Sequence, residues 1–468
     1  MSRKPLYVFA LVAVLALLVG SIVPAAAQDK VTVTWFVGLG TGTSPQQQED
    51  QKKVVDDFNA SQDKINLVIN IAADNATAYN ILATQMGTAD APDIVGPVGV
   101  SGANSFPGAW MDLQSLVDKN SYDLSVFPEN LVKLYQTPDG LVGIPFAVFP
   151  SLVLYNKDLF DEAEIAYPPH EFGAKYVATD GTESDWDFNT VNSLAKTLTV
   201  DANGNDASSA DFDPENIVQF GWAFENKSIR NILSSWNGDQ FWDPATNKVT
   251  IHDNWREGAQ WLWDATWKDH ISPNATQIAS ALMNNSPFAS GHLAMAQVNL
   301  WDTCCINGVQ FFDVAALPSY NGTPYSAVDA DTFRILKSSA HPDEAFTALS
   351  YLLDQAVPIL APTYGAYPAR PDYQQVYFDA LDAKFTQKAD WKTVVVESLN
   401  YAVSPHHESW FPGFSQGEAL WSAFGSNLSA DTGAEMDVNA RLDQLQTDLQ
   451  ATVDAALNGT LPTNTPSS

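Results

Sequence analysis

Positive charge is scarce in this sequence: 23 Lys and Arg stand against 55 Asp and Glu, a formal net charge of -32 over 468 residues. That balance repels phosphate backbones and anionic lipid, so nucleic acid is excluded as a partner and a neutral or cationic ligand fits better. Cysteine is nearly absent. The two present, Cys304 and Cys305, are adjacent, and they either close a vicinal disulfide in an oxidising compartment or stand as one buried and one exposed thiol. No transmembrane-like run follows residue 23, and none of the seven histidines lies beyond His407. Internal repeats, heptads and a linker marking a clean boundary are also missing. A length about three times that of a ~150-residue domain then implies two lobes woven together by several crossovers.

What is present begins with a three-part export pattern: Arg3 and Lys4, an apolar stretch from Leu6 to Val23, and Ala25 to Ala27 before Gln28. Cleavage is expected after Ala27, placing the protein in a periplasm or outside the cell. The alternative is an uncleaved anchor, since the run is nearly long enough to span a bilayer. No Cys follows it, so lipid attachment is not expected.

Val31 to Val37 alternates β-branched and aromatic residues and predicts a strand, as do Ile65 to Ile71, Asp93 to Val95 and Leu152 to Tyr155. Helical spacing of apolar residues predicts helices from Pro45 to Asn59, Tyr79 to Met86, Asn254 to His270 and Val438 to Leu457. Strands alternating with helices imply an α/β fold with a parallel sheet, whose strand ends face a ligand crevice. The stretch from Gly181 to Pro214 reads as polar and turn-rich, and 458–468 as a disordered tail.

Several strings look chemical and fail on spacing. The loop Gly38 to Gly42 would need glycine at 43 to be a dinucleotide fingerprint, and Thr43 stands there. Gly413 to Gly417 matches a nucleophile elbow around Ser415, yet no His follows it. Asp201 to Asp206 has its glycine at the fourth place of a calcium loop and Phe212 at the twelfth, which makes it a surface turn. His406-His407-Glu408 and Pro169-His170-Glu171 lack the second His that a zinc helix requires. No metal or cofactor is expected. The chain is instead rich in aromatics, with 14 Trp, 15 Tyr and 24 Phe; beside carboxylates and amides, such rings suit neutral sugars, although most are expected in cores.

Five strings in consistent order resemble the extracellular solute-binding proteins of ABC sugar importers, the maltose-binding-protein-like group. They are Met86 to Val95; Gly140 to Phe146 followed by Leu154 to Phe160; Phe288 to Met295 with Trp301; Ala316 to Pro318; and Ser338 to Ala345 leading into a helix. The resemblance implies a two-lobed periplasmic-binding-protein fold of type II, with crossovers near Pro145 to Ser151, Leu317 to Asp331 and Tyr351 to Pro368. In it, residues 28–146 with 319–355 form the N-terminal lobe and 147–318 with 356–457 the C-terminal lobe. It also implies a non-catalytic, monomeric receptor that closes on a mono- or oligosaccharide and delivers it to permease subunits in the membrane. Alternatives are a polyamine or other solute in the same fold, or an exported glycosidase.

Carried over position by position, Thr41, Gly42 and Thr43 line the cleft, as does Ser101 at the end of the turn from Gly96. That turn carries neither the aromatic nor the acid of maltose-binding protein, and Phe149 stands where the family has a ligand-binding Glu, so maltose itself is a poor candidate. Trp301 matches the stacking Trp, either Trp410 or Trp421 the last cleft aromatic, and Tyr364 and Tyr367 fall at the return across the hinge. Asp302 and Trp236 are compositional candidates.

Overall fold

The computed structural model describes residues 30–461 apart from 138, 239–240, 307–308 and 386–388. The export segment and the end of the expected tail lie outside the described residues. No helix among those described is long and apolar enough to cross a membrane.

The chain opens with strand β1 (Val31–Val37), paired in parallel with β2 (Ile65–Ile71) along its whole length and with β3 (Ile94–Gly99). Between β1 and β2 runs the helix Pro45–Ser61, started by a capping box in which Ser44 and Gln47 satisfy each other's backbone N–H groups. It buries Val54, Val55 and Phe58 against the sheet. The helix Asn75–Gln85, capped by Asp74, joins β2 to β3.

Strand β4 (Ala147–Asn156) is buried at all ten positions and carries no charge. Its first half pairs antiparallel with β9 (Val328–Ile335) and with β10 (Tyr367–Pro368); its second half pairs with β7 (Leu293–Asn299) and β8 (Phe312–Ala315). Strand β7 pairs in parallel with β6 (Ile217–Phe224), whose outer neighbour is the two-residue β5 (Val200–Asp201). The sheet order is thus β2-β1-β3-β9-β4-β7-β6-β5. Both β4 and β9 serve two lobes, since the far end of β9 pairs with β3.

Two regions depart from the sequence reading. Within the stretch read as polar and turn-rich lies an amphipathic helix, Phe188–Leu198. Asp187 caps it by accepting from Asn189 and Thr190, and Phe188, Val191, Leu194, Ala195 and Leu198 face the core. The helix Val357–Thr363, expected in the C-terminal lobe, packs on the helix Pro45–Ser61 of the other lobe, where Gln47 Nε2 donates to Thr363 O at 3.4 Å. The C-terminal lobe ends in a helical cluster of Asp253–Trp263, Phe414–Ser429 and Val438–Leu457 around Trp255, Trp421 and Leu442. Trp263 and Trp267 donate to Gly433 O and Leu428 O, each at 2.8 Å, so this indole stripe is architecture.

Candidate functional site

The carboxyl ends of the parallel strands converge where β4 and β9 cross between the lobes, the place an open α/β sheet offers a ligand. Strand β1 runs into the loop Gly38 to Thr43, and β3 into the short helix Val100–Asn104. From the other lobe β6 leads to Glu225, Asn226 and Lys227, and β7 to the turn Leu300–Cys304. The segment from Pro405 to Trp410 closes the side.

These elements form a dense polar band. Asp329 accepts from Asn231 Nδ2 at 3.0 Å and from Asn299 Nδ2, and its other oxygen meets His407 Nε2 at 3.1 Å. Lys227 donates to Ser151 Oγ at 2.9 Å, Asn231 Oδ1 at 3.0 Å and Asn299 Oδ1; burial pulls its ammonium down to about 7. Asp302 accepts from Asn226, leaves Oδ2 without a partner among the described residues, and is pushed up to about 6 by burial. Asp331 is held at about 7, by burial first and then by the charge of Asp329.

Across the cleft, Ser101 N–H donates to Glu408 Oε2 at 3.3 Å and Asn104 Nδ2 to Glu408 O at 2.8 Å. Tyr79, from the helix Asn75–Gln85, has its hydroxyl raised to about 12 by burial and then by Glu408 and Asp331. The Tyr79 ring stacks on Phe106, with centroids 6.0 Å apart. Arg230 secures the closing segment: its guanidinium meets Glu418 at 2.5 Å, donates to Ser409 O at 3.4 Å and lies over the rings of Phe241 and Phe411.

His406, His407 and Glu408 place ligand-type atoms within 4.8 Å of one another, but the donor set does not suit a metal. His406 Nε2 sits 2.7 Å from Val328 O while its Nδ1 accepts from Glu408 N–H at 3.1 Å, so both ring nitrogens are in use. Burial pulls this imidazole down to about 3 and keeps it neutral.

Of the residues expected from sequence, the structure brings Ser101, Phe149, Trp301, Asp302 and Tyr364 to the band. Phe149 and Trp301 have ring centroids 5.5 Å apart at 59°. Tyr364 is buried, with a hydroxyl that meets no described partner. The loop at Thr41 to Thr43 is committed to its own fold: Gly42 N–H donates to Gln47 Oε1 and its carbonyl accepts from Gln51 Nε2, while Thr41 and Thr43 bond Gln47 and Asn75. Gly42 has φ +92, and a Cβ there would lie 2.2 Å from Val37 Cγ1.

The remaining expected residues lie elsewhere. Trp236 stacks on Phe188 at 4.1 Å inside the C-terminal lobe, Trp421 is enclosed by Trp255 and Phe241, and Tyr367 packs among Tyr377 and Phe378; all three are core. Trp410 is an exposed ring set edge-on to Trp242. Cys305 is disulfide-bonded, and Cys304 is the only other cysteine in the chain.

Sequence reasoning passed over Tyr79, Lys227, Asn231, Asp329 and Asp331, and weighed His407 and Glu408 only as metal ligands. One signal was available: Asp329 and Asp331 alternate with apolar residues in a strand that is otherwise nearly all buried.

The profile of the bacterial extracellular solute-binding proteins matches residues 42–357. A search of curated protein sequences returns no significant match. Among solved structures, the fold is similar to an ABC substrate-binding protein from Listeria monocytogenes in complex with cycloalternan, at 19% identity and a TM-score of 0.69, covering 91% of this chain and 100% of that one. It is similar to UspC of M. tuberculosis at 20% identity and a TM-score of 0.66, covering 90% and 100%. Maltose-bound MalE3 of T. maritima aligns at 17% identity and a TM-score of 0.63, covering 90% and 99%.

Proposed function

We propose, from the premise that this chain belongs to the bacterial extracellular solute-binding protein family, that it captures a mono- or oligosaccharide between its lobes and delivers it to the permease of an ABC importer. The family consists of binding proteins rather than enzymes, so the polar band is read as a recognition surface. The observation that carries the proposal is the band itself. Amides and carboxylates of Asn231, Asn299, Asp302, Asp329, Asp331 and Glu408 gather around β9 beside the aromatic pair of Phe149 and Trp301. Hydroxyl groups of a pyranose both donate and accept hydrogen bonds, and its apolar face stacks on an indole.

In this reading β4 and β9 act as the hinge, the lobes close on the sugar, and the closed form is what the permease recognises. Met1 to Ala27 is removed on export, and the mature chain works in a periplasm or outside the cell as a monomer. The test is thermal-shift screening against a sugar panel. A ligand at 100 times its dissociation constant stabilises by about 2.7 kcal/mol. Trp301→Ala should abolish the shift for the sugar that gives it. Binding undiminished in that variant would remove Trp301 from the site, and no shift with any sugar would defeat the reading.

A further inference from the structure

The acids of the polar band are not matched by cations. Arg230 is committed to Glu418 at 2.5 Å, Lys227 to Ser151, Asn231 and Asn299, and Arg334 to Val142 O at 2.9 Å beneath the rings of Trp110 and Tyr135. Asp329 accepts from two amides and faces His407 Nε2 at 3.1 Å. Two carboxyls remain. Asp331, half-buried in the middle of β9, accepts no hydrogen bond from a described residue, and Glu408, half-buried on the facing segment, receives only the Ser101 N–H at its side chain. No described Lys or Arg forms an ion pair with either.

Two further groups point to an occupant. Tyr364 is 6% exposed, its hydroxyl meets no described partner, and after burial the strongest influence on it is the charge of Asp331. His407, with its side chain 1% exposed, has an Nδ1 that meets no described partner while Nε2 faces Asp329. The aromatic face is close by in register: Phe149 pairs with Asp329 and Ala147 with Asp331.

We propose that the sugar taken by this site carries an amino group, held as an ammonium between Asp331 and Glu408 with its ring against Trp301. The proposal rests on the sugar-binding reading above and narrows it. Burial first, and then the charge of Asp329, holds both carboxyls above the ordinary range, and Asp331 adds to the effect on Glu408. A neutral hydroxyl cannot relieve that repulsion, whereas one ammonium answers both charges with charge-assisted hydrogen bonds. Arg334 lowers Asp331 in part but forms no ion pair with it, and Asp329, Asp331 and Glu418 all raise Glu408, so acid outweighs cation around the pair and sets the preference.

The test is isothermal titration of the protein at pH 7 with glucosamine and its oligomers, the N-acetylated and unsubstituted counterparts, and spermidine. The expected result is an amino sugar bound at least about tenfold more tightly than its neutral counterpart, roughly the strength of one added charge-assisted hydrogen bond. Asp331→Asn should erase that ratio, weakening the amino sugar about tenfold more than its neutral counterpart. Glu408→Gln, on an irregular segment rather than in the sheet, repeats the test if the strand variant fails to fold. Neutral sugars bound as tightly as amino sugars overturn this proposal and leave the sugar reading standing. Spermidine bound with no sugar of either kind overturns both.

Discussion

Arg230 is the residue whose loss should cost the C-terminal lobe most for its size. Its side chain is 4% exposed and faces Glu418, which is 27% exposed, at 2.5 Å. The guanidinium carbon lies 4.9 Å from the ring centre of Phe241 and 5.4 Å from that of Phe411. Arg230→Met keeps most of the stem and removes the charge. Breaking a fully buried pair costs about 3–5 kcal/mol; the partial exposure of Glu418 lowers that to roughly 2, and two partly desolvated cation–π contacts add about 1. The sum, about 3 kcal/mol, corresponds to a fall in Tm of about 3 °C, since a chain of this length unfolds with an entropy near 1 kcal/mol/K. Urea titration and calorimetry of Arg230→Met, Glu418→Gln and the double variant form a cycle. The double variant should cost less than the sum of the single ones, because the second change no longer strands a charge. A shift within 1 °C for Arg230→Met, or strictly additive losses, would refute the reasoning.

Gly221→Ala should be more disruptive than its size suggests. A Cβ on β6 there would lie 2.2 Å from Ala195 O and 2.4 Å from Ala195 Cα in the helix Phe188–Leu198, so the helix must lift from the sheet. A loss of about 2 kcal/mol or more is expected in urea titration, and an unchanged midpoint would contradict the close approach. The pH dependence also has a defined sign. Burial holds Asp331 and Glu225 up to about 7 and Asp302 to about 6, so the folded chain keeps protons that the unfolded chain has released above about pH 4. Stability should therefore fall as pH rises from about 4 to 7; His406, pulled down to about 3, offsets one of these protons. The ligand-free Tm should be higher at pH 5.5 than at 7.5, with a smaller difference in Asp331→Asn. A Tm that rises over that interval would disprove the assignment.

Strands whose pattern is set by burial were readable without coordinates. Val31–Val37 and Ile65–Ile71 occur at their expected bounds, as does the helix Val438–Leu457. The helix Phe188–Leu198 was hidden by the Asp, Asn and Gly around it, and its own apolar spacing of Phe188, Val191, Leu194 and Leu198 was the better guide. Motif order was enough to place Trp301 and Phe149 next to each other beside the polar band, because each belongs to a string tied to a strand. It was not enough for Trp236 and Trp421, since whether an indole faces a cleft or a core depends on elements far away in sequence. His406 to Glu408 were weighed only as metal ligands, whereas their role in the band arises from contacts with Ser101, Val328 and Asp329.

The sharing of β4 and β9 between the lobes also orders events in time. Strand β3 finds its inner neighbour in Val328–Ile335, and the helix Pro45–Ser61 is packed by Val357–Thr363 and, through Phe58, by Tyr351. During synthesis the first lobe therefore stays an incomplete sheet until most of the chain has been made. Contacts this distant in sequence make closure slow relative to a domain built from local hairpins. No contiguous fragment of the gene encodes a self-sufficient half, and a break introduced between β3 and β9 would leave Ile94 to Gly99 as an open edge, prone to pairing with other chains.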